Sequence, residues 1–126
     1  VGAYDVYLHE FHHRAKADSP SGTARKLAAV LVETFPGKET VREGNGVGPL
    51  ESRELHVSST RAGRIPGTHE VGFDSEVDRI VLRHEALGRA GFALGAVRAA
   101  EWIVNQPPGV YSMSDFMEGA RKVGIS

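Results

Sequence analysis

The chain has 126 residues, no cysteine, and Lys plus Arg totalling 15 against 16 for Asp plus Glu. A length of this order makes one ordinary domain, and 40% apolar residues are enough for its core. The near-neutral balance excludes a long-range pull on nucleic acid, the missing cysteines exclude disulfides, thiol nucleophiles and thiolate metal sites, and no apolar run is long enough to span a bilayer, so a cytoplasmic protein with no nucleic-acid or membrane partner is expected.

The opening, Val1 to Tyr4, runs straight into strand-like sequence with no initiator Met and no signal-like leader, and reads as the interior of a longer chain. From Tyr4 to Phe11 the sequence alternates, with Tyr4, Val6 and Leu8 on one face and Asp5, Tyr7 and His9 on the other, which predicts a half-buried strand that delivers His12 and His13 at its end. Ala24, Leu27, Ala28, Leu31 and Phe35 then recur at helical spacing, with Ser21 or Thr23 available as the cap. Residues 36–49 are polar and glycine-rich, and read as a surface loop. Glu54 to Thr60, His69 to Ser75 and Val77 to Glu85 carry the alternation and β-branched content of strands, with Asp74 to Asp78 turning the last two into a hairpin. A second helix is predicted over Arg89 to Asn105, its alanines and Gly95 suited to close packing on a sheet, and Pro107, Pro108 and Gly109 stop it. Ser114 is the expected cap of a short final helix that carries Phe116, Met117, Ala120 and Val123 inward. The sum is an α+β fold, a mixed sheet with helices packed on one face. The open sheet face invites a second copy, so a homo-oligomer is expected.

The stretch from His9 to Ala24 concentrates His9, His12, His13, Arg14 and Lys16 just before a helix start whose amides belong to Ser21, Gly22 and Thr23. Unpaired amides and the positive end of the helix dipole suit an anion such as a carboxylate, and Gly22 lets a ligand approach the backbone. Lys16 and the two histidines can hold a second carboxylate or supply a proton. The competing reading is a solvated basic loop beside a plain cap. A metal site is not expected, because adjacent residues on a strand such as His12 and His13 point to opposite faces. Ser21 lacks the glycine-flanked elbow of a hydrolase nucleophile. His56, His69 and His84 fall on predicted strands and receive no role. Gly44, Gly46 and Gly48 follow no predicted strand and open no helix, which argues against a nucleotide loop.

The string Glu10-x-His12-His13-x-x-Lys16-x-Asp18-Ser19-Pro20-Ser21-Gly22-Thr23-Ala24 resembles the signature of the dihydrodipicolinate (4-hydroxy-tetrahydrodipicolinate) reductases. The likeness continues through Arg61, Gly63, Ile65, Gly67, His69 and Val71, through Arg89, Phe92, Gly95 and Trp102, and through Gly109, Tyr111, Met113 and Asp115. This resemblance implies that residues 1–126 are the substrate-binding and oligomerisation domain of an enzyme that reduces a cyclic dicarboxylate with NADH or NADPH on the diaminopimelate route to lysine. By the same resemblance Lys16 donates a proton and His12 assists it, while His13, Ser21, Gly22 and Thr23 bind substrate. Arg89 at the start of the second helix is read either as a structural salt bridge or as support for the pocket. The family's Rossmann domain, which precedes this part, is missing from these residues. The isolated chain is therefore expected to be inactive, and a tetramer is the expected assembly. The alternative is a non-catalytic dicarboxylate-binding or assembly module of the same fold.

Overall fold

The computed structural model describes residues 4–46 and 48–122. They fall into two compact units, residues 1–87 and 88–126.

The first unit is built around β1 (Asp5–His12), whose alternation sends Val6, Leu8, Glu10 and His12 to one side and leaves Tyr7, His9 and Phe11 half-buried on the other. A helix, α1 (Gly22–Thr34), follows, then β2 (Thr40–Glu43), β3 (Glu54–Arg61), β4 (Gly67–Asp74) and β5 (Arg79–Ala86). The five strands form one sheet in the order β2-β3-β1-β4-β5. β1 runs parallel to β3, with His12 opposite Arg61, and antiparallel to β4, with Glu10 opposite His69. The hairpin expected between β4 and β5 is present, closed by the Ser75 amide on the Asp78 carbonyl at 2.9 Å.

β2 corrects the reading of residues 36–49 as loop. It is a four-residue edge strand, parallel to β3 with Val41 opposite Leu55. Its sequence, Thr-Val-Arg-Glu, has too few apolar positions to signal a strand, and the pairing comes from the partner it meets in the fold. Lys38 just before it is another feature with no local signal. It is 7% exposed, and its ammonium donates to the carbonyls of Ser52 and Glu54 at 2.9 Å each and pairs with Asp5 at 2.6 Å.

The core lies between α1 and the sheet. Ala24 and Ala28 bring the helix close to Val6, Leu8, Leu55, Val57 and Val71, with Leu27, Leu31, Val32, Phe35 and Phe73 packed around them. Leu8 and Leu55 are fully buried, each contributing about 1.5–3 kcal/mol by leaving water. The opposite face of the sheet carries a network of paired charges. Arg83 bonds Glu70 at 2.8 Å and Glu85 at 3.0 Å, Arg79 bonds Asp74 at 2.7 Å, and the Tyr7 hydroxyl donates to Glu70 at 2.7 Å. The Arg83 guanidinium also lies 5.6 Å from the centre of the Phe11 ring. Tyr7 can lie flat here because its neighbour is Gly72, where a Cβ would fall 2.1 Å from the ring.

The second unit holds α2 (Ala90–Ile103) and α3 (Met113–Lys122). Trp102 joins them, with its ring edge-on to Tyr111 at 5.4 Å and to Phe116 at 5.7 Å. The final helix is capped by Ser112 rather than the expected Ser114. The Ser112 hydroxyl accepts from the Asp115 amide at 3.2 Å and the Asp115 carboxylate accepts from the Ser112 amide at 2.7 Å, a reciprocal cap whose acidic partner lies three residues on. Of the residues expected inward, Ala120 is buried, Phe116 is half-buried and Met117 is 57% exposed; Val123 lies outside the described residues.

Candidate functional site

At the end of β1 the inward-facing side chains change from apolar to polar. Val6 and Leu8 belong to the core, but Glu10, next on the same face, is a carboxylate with 0% exposure. An isolated buried charge costs several kcal/mol and survives only with close partners. Arg61, at the end of the neighbouring parallel strand, supplies them. Its Nη2 donates to Glu10 Oε1 at 2.7 Å and its Nη1 donates to Oε2 at 3.0 Å. The Ser21 amide donates to Oε1 at 3.2 Å, and His12 Nδ1 bonds Oε2. Burial, the largest single influence, pushes the Glu10 carboxyl up, but these bonds, led by Arg61, outweigh it together and hold it at about 2.

Glu10 is thus ionised at neutral pH and can only accept, so His12 must donate from Nδ1. Its other nitrogen, Nε2, lies against the backbone of Gly67, where a Cβ would stand 3.0 Å away. The His69 ring is edge-on to His12 with centroids 5.2 Å apart, and its Nε2 is 3.2 Å from the Ser21 hydroxyl oxygen. Burial lowers the His69 pKa, and neighbouring His12 lowers it further.

The helix start is the second part of the site. Ser21 is the N-cap: its Oγ accepts from the Ala24 amide at 3.2 Å and its carbonyl accepts from the Arg25 amide at 3.0 Å. With the Ser21 amide committed to Glu10, the exposed Gly22 and Thr23 amides are the helix-start donors without a hydrogen bond among the described residues.

The loop between them is tied to the same centre. Ala62 and Arg14 amides donate to the carbonyls of His12 and Gly63, each at 3.1 Å. The Lys16 amide closes a turn onto the His13 carbonyl at 3.2 Å, which leaves His13 half-buried. The Lys16 ammonium pairs with Asp18 at 2.9 Å, and that bond holds the Asp18 carboxyl below its ordinary range. Arg61 Nη2, besides serving Glu10, donates to the Asp18 carbonyl at 2.8 Å.

Of the residues expected at the site, His12 and Ser21 meet through Glu10. Gly22 and Thr23 follow directly in the helix, and His13 and Lys16 stand on the loop that Arg61 braces. Arg89, in the second unit, is the N-cap residue of α2 and makes no side-chain capping bond. Sequence reasoning gave no role to Glu10, Arg61 or His69. The one local signal was parity: Glu10 shares the inward face with Val6 and Leu8, where a carboxylate is unexpected.

Glu10, His12 and His69 offer ligand atoms within 4.8 Å of one another. Yet both Glu10 oxygens already accept from the Arg61 guanidinium, so a divalent cation would meet a fixed positive charge and no spare carboxylate. The donor set suits an organic anion better than a metal ion.

The fold and this constellation define an α+β domain in which a buried carboxylate links an imidazole at the end of β1 to the start of α1. The chain belongs to the family described as dihydrodipicolinate reductase, C-terminus, whose model matches residues 1–117. It is 46% identical over 114 residues to a 4-hydroxy-tetrahydrodipicolinate reductase of Methanosarcina acetivorans, a match covering 90% of this chain and 43% of the relative. A reductase of the same name from Methanopyrus kandleri is 46% identical over 121 residues, covering 94% of this chain and 44% of the relative. The chain therefore spans under half the length of these relatives. Among solved structures, the dipicolinate-bound dihydrodipicolinate reductase of Paenisporosarcina sp. TG-14 superposes with a TM-score of 0.58 at 30% identity, covering 74% of this chain and 37% of that one.

Proposed function

We propose that residues 1–126 form the substrate-binding domain of a 4-hydroxy-tetrahydrodipicolinate reductase, acting on a cyclic dicarboxylate in lysine and diaminopimelate biosynthesis. The observation that carries this reading is the Glu10 carboxylate. It binds His12 at the end of β1 and the amide of Ser21 at the start of α1, and so sets an imidazole and two free helix-start amides around one point. A dicarboxylate needs such fixed donors at its ends and a proton source near its ring. The free amides of Gly22 and Thr23 and the Thr23 hydroxyl suit one carboxylate. His13 and Lys16 suit the other, and Ser21 holds the helix start in shape. Lys16 is the proton donor of this scheme and His12 its assistant. No resident metal is called for.

The reductant, NADH or NADPH, finds no phosphate cradle among the described residues. Gly44, Gly46 and Gly48 sit at positive φ in a turn that leads to β3, not to a helix. Its binding falls to a separate Rossmann domain, and the isolated chain is inactive. Assembly as a homotetramer uses the uncovered sheet face, and sedimentation of the intact protein as a monomer would contradict it.

Calorimetric titration with pyridine-2,6-dicarboxylate tests the pocket. Binding by this chain, weakened about tenfold or more, or at least ~1.4 kcal/mol, in Lys16→Ala and in Thr23→Val, is the expected result. Affinity that ignores both changes, or that appears only with added zinc, would refute the assignment.

A further inference from the structure

We infer that Glu10 is a positioning residue that holds His12 in the Nδ1–H tautomer and so makes Nε2 a hydrogen-bond acceptor toward the ligand. The inference rests on the proposed pocket for its meaning, but the tautomer itself follows from this structure alone.

Three observations converge. Glu10 is fully buried and ionised, so its Oε2 has no proton to give and the bond to His12 requires the proton on Nδ1. The carboxylate cannot rotate away, because Arg61 grips both oxygens and the Ser21 amide occupies Oε1. Nε2 has no hydrogen-bond partner among the described residues and borders Gly67, where an added Cβ would stand 3.0 Å from it. An imidazole fixed at one nitrogen and open at the other is arranged to act through the open one.

In its neutral form that nitrogen presents a lone pair. It therefore accepts from a donor, either a ring N–H of the bound dicarboxylate or the Lys16 ammonium, and leaves proton donation to Lys16. The acid and the acceptor of the pocket are thereby separate groups. The carboxylate acts on the ligand only through the imidazole.

The substitution that distinguishes this from a purely structural role is Glu10→Gln. Oε1 faces two donors that can never accept, Arg61 Nη2 and the Ser21 amide, whereas Oε2 faces one such donor, Arg61 Nη1, and the His12 imidazole, which can become an acceptor; the amide oxygen is therefore favoured at Oε1 and its NH2 at the place of Oε2, facing His12 Nδ1. Nδ1 then has to accept, and the proton moves to Nε2.

Imidazole nitrogen shifts read by long-range 1H–15N correlation above neutral pH, with the His12 signals assigned by their loss in His12→Asn, provide the test. The native chain is expected to show Nδ1–H, Arg61→Lys to keep it, and Glu10→Gln to invert it. In the intact reductase, Glu10→Gln should lower kcat about 100-fold or more, as wrong-tautomer substitutions do elsewhere, while KM changes little. An Nε2–H tautomer in the native chain overturns the inference without any variant having to fold, as does an unchanged tautomer in a folded Glu10→Gln. Absence of dicarboxylate binding would instead overturn the pocket and leave the tautomer result standing.

Discussion

Acidification should remove a specific and calculable part of this protein's stability. Glu10 falls from an ordinary 4.5 to about 2 in the folded chain. At ~1.4 kcal/mol per pH unit, that difference makes its ionisation worth about 3 kcal/mol to the fold. A group whose folded value is depressed contributes fully above its unfolded value and loses the contribution as pH falls through the folded one, so the loss sets in around pH 4.5 and is complete only below about pH 2. Complete burial means that solvent screening does not diminish the effect. Urea unfolding at a series of pH values, comparing the native chain with Glu10→Gln, isolates it. Other carboxylates such as the half-buried Glu70 and the exposed Asp78, whose values are also lowered by their partners, titrate in both proteins and cancel in the difference. At neutral pH the variant should be less stable by about 3–5 kcal/mol, the cost of leaving a buried ion-pair partner alone, and the gap should close as pH falls through about 2. A gap that stays constant across the window would show that the Arg61 bonds do not hold the carboxyl down.

Two further substitutions probe features that position the sheet. Gly72→Ala puts a Cβ 2.1 Å from the Tyr7 ring, so it should cost about 1–3 kcal/mol in thermal melts, with most of the loss recovered when Tyr7→Ala is added; additive losses would refute the contact. Lys38→Met strands the carbonyls of Ser52 and Glu54, and a loss of about 1–3 kcal/mol in urea unfolding is expected, against no change if the buried ammonium were incidental.

The sequence disclosed the strands and helices that carry a strong period, because alternation and helical spacing are local properties. β1, α1, β3, β4, β5 and α2 all lie within a few residues of where pattern placed them. β2 escaped because four mostly polar residues become a strand only when a parallel partner is already present. The cap of α3 moved two residues because Asp115, not the nearest serine, decides which residue closes the turn. At the site, the basic loop and the Ser-Gly-Thr helix start were legible as local features of the sequence. Its centre was not: Arg61 is 51 residues from Glu10, and no pattern within either strand announces that they meet. The parity of β1 put Glu10 inward, and only the register between β1 and β3 says what receives it.

The outer side of the sheet, with Arg83, Arg79, Glu70, Glu85 and Asp74 bound to one another, has a bearing on what can rest there. Charges that already satisfy their neighbours project little field into solvent, so nothing approaching that surface is drawn from afar or turned away. Selection there falls to fit at close range, and dissolved salt would have little hold on it.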